Sequence, residues 1–563
     1  MARLSVREPS LVLGIAGAIL AVLFALPLPA AGATQFDISF PASAASSEIT
    51  GRLLVVISPR AEPEPRLGLR PTNPVGWRAD RGVVLLGRDV EELRPGQVAS
   101  VDASAPSYPV GLHQLPAGDY YVQAVLARYT FVKRSDGHAI WVPMTDRRVN
   151  PHSMPGNLVS KPLELRLDPG QGARVSLSLT ETIPPMPEHT DTPWLRHVRI
   201  RSEILSRFWG VPFYLRAHVL VPRGFDTDTA RRYPAVYVFG HGDAPFFFNT
   251  DPASHEATLA DSRAANLDTG YEFYQSWIAE EFPRVVAITF EMPSPFFVES
   301  YAVNSANNGP FGEALTREMI PHLEKLFRLI PERDARVVEG NSTGGWEALA
   351  MQLHYPDFFG GAWVLNPDPI DFRRYQLVDL YADDNFFARP LPPFQSAERS
   401  FRRDTDGQPM FTMRDMARYE AALGSKRRSG AQLDIWQATH GPVGADGYPA
   451  ALFDKETGKI DRQVVESMRA HGYDLTEYAR RNWATLGPKL AGRLTFITGE
   501  VDDFYLNLGV YGFESMLAET AAPGYPVRFH YGRPRKGHNW HHASWADMIR
   551  EMDALMKRMK GSR

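Results

Sequence analysis

Five consecutive residues, Gly340-Asn341-Ser342-Thr343-Gly344, carry the most chemistry in this chain. They spell G-x-S-x-G, the pattern of a nucleophilic serine held on a sharp strand-to-helix turn. The flanks have the shape this needs. Arg336-Val337-Val338 closes a short apolar strand, and Trp346–Leu353 (WEALAMQL) has the apolar spacing of a helix start. So tight a turn crowds any side chain, and Gly340 and Gly344 have none to crowd. The expected result is a Ser342 hydroxyl exposed above the sheet, over a helix N-terminus that favours developing negative charge.

A serine hydroxyl is a poor nucleophile at neutral pH. It needs a histidine to take its proton and a buried carboxylate to set the histidine's tautomer. Both types follow Ser342 in the order serine, acid, histidine, each after a strand. Leu494–Thr498 (LTFIT) runs into Gly499-Glu500-Val501-Asp502-Asp503, and Val527–Tyr531 runs into Lys536-Gly537-His538-Asn539-Trp540. The tetrahedral oxyanion needs two backbone donors. One is the N–H of Thr343. The other follows an earlier strand, Ala235–Phe239, in the turn Gly240-His241-Gly242-Asp243, and is assigned to the N–H of Asp243. His241 reads as a turn-packing residue.

With these residues the chain resembles the putative-esterase family of α/β-hydrolases, which includes feruloyl, enterochelin and S-formylglutathione esterases. The matching pieces are YPAVYVFGHG at 233–242, EALTREMIPHLEKLF at 313–327, GNSTGG at 340–345 and YPDFFGGAWVLNP at 355–367. GEVDDFYLN at 499–507 and KGHNWHHASW at 536–545 complete the set. The resemblance spans roughly residues 195–560. By matching positions it implies Ser342 as nucleophile, Asp502 as acid and His538 as base. The chain departs from the family at Asn366-Pro367-Asp368, where members often carry a Ser or Gly after the strand. The neighbouring Asp503 is expected to face solvent or to cap the helix that begins near Phe504.

The remaining elements must position these groups. At 563 residues the chain is long enough for at least two domains, and 44% hydrophobic content is ordinary for a globular protein. A net charge of −4 gives no basic field, so no nucleic-acid partner is expected. Without cysteine there are no disulfides, thiolate metal sites or cysteine nucleophiles. Arg3 and Arg7 precede an apolar run from about Leu11 to Leu28, and Ala31-Gly32-Ala33 supplies a small-x-small cleavage site. Residues 1–33 therefore read as a signal peptide cleaved before Thr34, with periplasmic or secreted destination. An uncleaved anchor is the competing reading.

Residues 34–182 show short β-rich runs between Pro/Gly turns and predict an immunoglobulin-like β-sandwich. A Pro-rich link follows at 183–194. From 195 to 563, apolar strands alternate with helices, which predicts an α/β-hydrolase fold with a mostly parallel sheet covered on both faces. Residues from about 371 to 488 interrupt the alternation as a cap-like insertion, in which Tyr375, Phe386, Phe387, Trp436, His440 and Tyr448 are either packing or pocket residues.

Asn304, Asn307 and Asn308 lie in a polar segment that either contacts substrate or caps the next helix. His538, His541 and His542 have metal-like spacing, but no matching carboxylate cluster accompanies them, so neither metal nor cofactor is expected. The reading is an exported serine esterase that forms an acyl-enzyme on Ser342 and acts on a small-molecule or glycan-linked ester. An acyltransferase, a serine peptidase and a binding protein on a hydrolase scaffold are the alternatives. Oligomeric state is left open.

Overall fold

The computed structural model describes residues 34–69, 82–168, 170–520, 524 and 526–561. The signal-peptide reading of residues 1–33 falls outside them. Among the described residues, no helix is long and apolar enough to cross a membrane.

An eight-stranded sheet organises the C-terminal two-thirds. Its strands are β1 (Leu195–Ser202), β2 (Phe213–Leu220), β3 (Ala235–Phe239), β4 (Val286–Glu291), β5 (Arg336–Asn341), β6 (Gly361–Leu365), β7 (Leu494–Gly499) and β8 (Arg528–Gly532). They lie in the order β1-β2-β4-β3-β5-β6-β7-β8. β2 runs antiparallel to both β1 and β4, and every pairing from β4–β3 to β7–β8 is parallel. The central strands read as continuous apolar runs because both faces are covered. Val337, Trp363 and Leu365 pack on one face with Trp277, Met548 and Met552 from helices Gly270–Ile278 and Trp545–Gly561. Val338, Ala362 and Val364 pack on the other with Leu349 and Met351 of helix Thr343–His354 and Phe513 of helix Asn507–Thr520. Strand β1 was not anticipated, because Arg196, Arg199 and Arg201 give this edge strand a half-polar sequence.

The N-terminal residues form two larger sheets and a two-stranded hairpin, Thr130–Lys133 with Ala139–Val142. Arg174–Ser178, Gln35–Ser39 and Ala99–Asp102 make a three-stranded sheet, and a seven-stranded sheet is centred on Ile49–Ser58 between Gly118–Arg128 and Val84–Leu93. Phe36, Ile38, Val175 and Leu177 of the small sheet share one core with Leu53, Val55, Val122 and Ala124 of the large one. The centre of the large sheet's other face is covered as well. Leu54, Val56, Leu85 and Val125 join the main core of the catalytic half, so Ile49–Ser58 is buried along its whole length.

The insertion makes that junction. Its helix Met413–Leu423 packs over Val84–Leu93 so closely that a Cβ on Gly87 would lie 1.9 Å from the Ala422 carbonyl oxygen. Arg52, 5% exposed at its side chain, donates to the Ala421 carbonyl at 2.7 Å, to the Ala422 carbonyl at 2.9 Å and to Asp89 at 2.9 Å. It thereby satisfies carbonyls in the last helical turn, which have no intrahelical partner. The insertion also contains two short hairpins, Ala388–Leu391 with Gln395–Glu398 and Ser400–Arg403 with Pro409–Thr412. Their charged and proline-containing sequences carry no strand signal, and the pairing is local.

Replacing Arg52 by alanine leaves Asp89 and two buried carbonyls short of a donor. Arg52→Ala should lower stability by about 2–3 kcal/mol, the usual worth of charge-assisted hydrogen bonds. Urea unfolding of wild type and variant measures this directly.

Candidate active site

Ser342 stands at the end of β5 with φ 59° and ψ −122°, a region that non-glycine residues seldom occupy. Its surroundings hold it there. The Ser342 N–H donates to the Leu365 carbonyl of β6 at 3.0 Å, and its own carbonyl accepts from Trp346 and Asp368, each at 3.1 Å. The turn admits no side chain on either flank. A Cβ on Gly344 would lie 2.2 Å from the Phe239 carbonyl oxygen, and one on Gly340 would lie 2.3 Å from the Gly344 carbonyl oxygen. Backbone strain of this kind costs on the order of 1–3 kcal/mol and persists where packing over-determines it.

Asp502 and His538 meet at the ends of β7 and β8. Asp502 is fully buried, and its Oδ2 lies 2.7 Å from His538 Nδ1. Its Oδ1 accepts the N–H groups of Phe504 at 2.8 Å and Leu506 at 3.1 Å, which locks the carboxylate's orientation. His538 titrates above the ordinary histidine value. Burial alone would push it down, but attraction to the Asp502 carboxylate prevails. Asp503 neither faces solvent nor caps the helix. Asp502 instead binds the turn that leads into helix Asn507–Thr520, and Asp503 accepts the His538 backbone N–H at 3.1 Å while pairing with Arg402 at 3.1 Å. Adjacent acids thus hold one histidine, one by its ring and one by its backbone.

Ser342 Oγ is hydrogen-bonded to neither of them. It lies 3.4 Å from Oδ1 of Asp368, a buried carboxyl just beyond β6. Asp368 Oδ2 accepts from Tyr301 at 2.5 Å, Thr343 at 2.9 Å and Gln432 at 2.8 Å. Burial raises its pKa, and the hydrogen bonds from Tyr301 and Thr343 oppose that rise without reversing it. Sequence reasoning noticed this position only as a departure from the family pattern. A carboxylate there was a usable signal, because the segment after β6 must pass beside the elbow.

The turn after β3 is held from an unanticipated direction. Arg148, from the N-terminal half, is 8% exposed and spreads its guanidinium beneath this turn. It donates to the Gly240 carbonyl at 3.0 Å, the Gly242 carbonyl at 2.7 Å, the Phe290 carbonyl at 2.7 Å and Glu299 at 2.6 Å. In a trans peptide the C=O and the N–H point opposite ways. Fixing the Gly242 carbonyl on Arg148 therefore turns the Asp243 N–H away from it, and no acceptor for that N–H occurs among the described residues. Thr343 begins the helix, so its N–H has no intrahelical partner. No motif surrounds Arg148, and nothing in the sequence marked it.

Beside these groups lies a cavity of about 480 Å³, lined by Ser342, Gly240, Gly242, Phe246, Leu267 and Trp545 together with Glu339 and Thr289. The Glu339 carboxyl is buried on β5, and burial pushes its pKa up to about 8.

The other expected residues lie elsewhere. Asn304 accepts the Glu313 N–H at 3.0 Å and caps the next helix. Asn307 and Asn308 are fully buried and donate to the Gly441 carbonyl at 2.8 Å and to Thr439 at 2.9 Å in the insertion. None of the three lines the cavity, and the Asn307 and Asn308 amides serve the joint between the two segments. Trp436 and His440, with ring centres 4.1 Å apart, pack against Tyr301 and Trp346 rather than into the cavity. His542 pairs with Glu551 at 3.1 Å and His541 donates to the Asn539 carbonyl at 2.8 Å, so the three C-terminal histidines do not converge.

A family model described as "Putative esterase" matches residues 215–496. That segment takes in the 240–243 turn and Ser342 and ends before Asp502. Similar solved structures include a ferulic acid esterase, at 14% identity over 64% of this chain and 97% of that one, with a TM-score of 0.35. Another is a substrate-bound fluorophosphonate-binding serine hydrolase F from Staphylococcus aureus, at 14% identity over 64% and 98%, with a TM-score of 0.32. A third is an S-formylglutathione hydrolase from Agrobacterium tumefaciens, at 13% identity over 65% and 96%, with a TM-score of 0.31. No curated protein matches the chain.

Two substitutions separate the roles of the adjacent acids. Asp502→Asn should cut kcat by about 10⁴-fold, the loss expected when the histidine's tautomer is no longer controlled. Asp503→Asn keeps an acceptor for the His538 N–H and should cost less than tenfold (about 1.4 kcal/mol). Steady-state kinetics of both variants checks the order. Arg148→Ala frees the Gly242 carbonyl and with it the direction of the Asp243 N–H, and should lower kcat by about 10²-fold while KM stays near wild type. Arg148→Lys should recover only part, since a point charge cannot span two carbonyls.

Proposed function

The chain belongs to the putative esterase family and is a carboxylic ester hydrolase, and from that premise we propose that it is an exported serine esterase working through Ser342, His538 and Asp502. The observation that carries this reading is the 2.7 Å contact between His538 Nδ1 and a fully buried Asp502. The elbow at Ser342 supports it from the other side.

In the proposed cycle the substrate carbonyl enters beside Ser342. The serine hydroxyl exchanges its contact with Asp368 for one with His538 Nε2, loses its proton there and attacks. The N–H groups of Thr343 and Asp243 take the oxyanion. His538 then gives its proton to the leaving alcohol and activates water against the acyl-enzyme. Asp502 stabilises the imidazolium throughout. A negative Asp368 so close to Ser342 would oppose the oxyanion. Burial raises the Asp368 pKa, which weakens that repulsion.

The apolar walls of the 480 Å³ cavity suit an ester with a bulky apolar group, and the neutral Glu339 carboxyl offers a hydrogen bond at its floor. The substrate is a small-molecule or glycan-linked ester of that kind. The N-terminal residues 34–182 are an immunoglobulin-like β-sandwich that braces the catalytic half. Residues 1–33 are a signal peptide cleaved after Ala33, which sends the protein to the periplasm or medium.

Ser342→Ala should stay folded and lose kcat by several orders of magnitude. A fluorophosphonate probe should label the wild type and leave the variant unlabelled. The activity should also fall on acidification with an apparent pKa above about 6.5, as a raised His538 demands. Retained hydrolysis of p-nitrophenyl esters by the alanine variant would refute the assignment.

A further inference from the structure

A second cluster of chemistry-bearing side chains shares no lining residue with the cavity beside Ser342. His197 of β1 and His218 of β2 are direct partners across the antiparallel pair, so both rings stand on one face of the sheet edge. His189, from the link at 183–194, closes over them. One ring nitrogen from each histidine lies within 4.8 Å of the others. The ring centres are 4.9, 4.7 and 5.2 Å apart. Three imidazoles bound to one ion at a metal–nitrogen distance of ~2.0–2.1 Å have ring centres roughly 5 Å apart.

Two further observations point to a ligand. His218 is 1% exposed, and neither of its ring nitrogens has a hydrogen bond. A buried polar ring normally finds partners for both. The surrounding carboxylates also stand where outer partners of metal-bound histidines stand. Asp191 lies 3.1 Å from His197 Nδ1, which leaves the Nε2 lone pair free to ligate. The Oε2 atom of Glu291, itself without a hydrogen bond, lies 3.6 Å from His218 Nε2, which leaves Nδ1. Arg147 contacts His189 Nε2 at 2.8 Å and also reaches Glu291 and the Pro187 carbonyl, so it has places to go when an ion claims that lone pair.

We propose that His189, His197 and His218 form a binding site for a first-row divalent transition metal, with Zn²⁺ in three-imidazole coordination. Neutral imidazole is a borderline-soft ligand that suits Zn²⁺ and neighbouring ions far better than Mg²⁺ or Ca²⁺. The fourth position is open to water. The site lies on the link, the edge strand β1 and its neighbour β2, so its effect is structural. The ion staples the 183–194 segment to β1 and β2, and binding free energy at a site absent from the unfolded chain appears as folding free energy.

The test uses tag-free full-length protein, stripped with a chelator and titrated with ZnCl₂. Elemental analysis after desalting should find about one zinc per chain, and thermal unfolding should shift to higher temperature on zinc addition. His189→Ala and His197→Ala should each lose both effects, while His542→Ala keeps them. Co²⁺ loaded into the wild type should give the intense visible bands of tetrahedral nitrogen coordination, a readout that does not depend on any variant folding. A wild type that retains no zinc, variants that retain as much as wild type, or a Co²⁺ spectrum of the hydrated octahedral ion would each overturn the proposal.

Discussion

Everything at the catalytic centre depends on the register of two parallel strands. β3 pairs with β5 so that Phe239 lies opposite Gly340. Both strands end together, and the turn after each rises from the same edge of the sheet. That alignment sets the 240–243 turn beside the elbow and brings the Phe239 carbonyl within 2.2 Å of where a Gly344 Cβ would be. A one-residue slip would send every side chain of β5 to the wrong face and separate the 240–243 turn from Ser342. The neighbouring pairings extend the same edge, which is how a sheet of parallel strands gathers groups from distant parts of a chain at its carboxyl ends.

The N-terminal half enters this centre through one arginine. Arg148 ties the Gly240 and Gly242 carbonyls to Glu299, and its own backbone N–H donates to Glu291 at 2.6 Å. Glu291 in turn accepts from Arg147 at 3.3 Å. An isolated surface ion pair contributes little. Here the charges are buried and each is matched, so the network acts as a rigid mount. This gives the N-terminal sheets a structural part in the hydrolase, which agrees with the burial of both faces of their central strand.

Polar groups crowd around Ser342 in two arrangements. On one side a histidine is charged more readily because a carboxylate is held against it. On the other, Asp368 and Glu339 are carboxyls that burial pushes toward the neutral form. One residue type serves opposite purposes according to whether the site supplies donors or removes water.

By itself the sequence determined the elbow and the mostly parallel sheet, and it supplied the serine-acid-histidine order and the preference for Asp502 on which the proposed function rests. Those features are local. A glycine-flanked serine after an apolar strand, or an acid three residues beyond a strand's last glycine, is read from neighbours along the chain. Tertiary structure alone decided that Arg148 mounts the turn 92 residues downstream of it, that Asp368 sits against Ser342, and that Asn307 and Asn308 serve a joint. It also decided that His189, His197 and His218 meet. Each of these rests on a contact between segments that carry no mutual signal in sequence. Hydrogen bonds and packing across such distances are set by strand register and by the docking of one layer on another, and neither is written in the residues nearby.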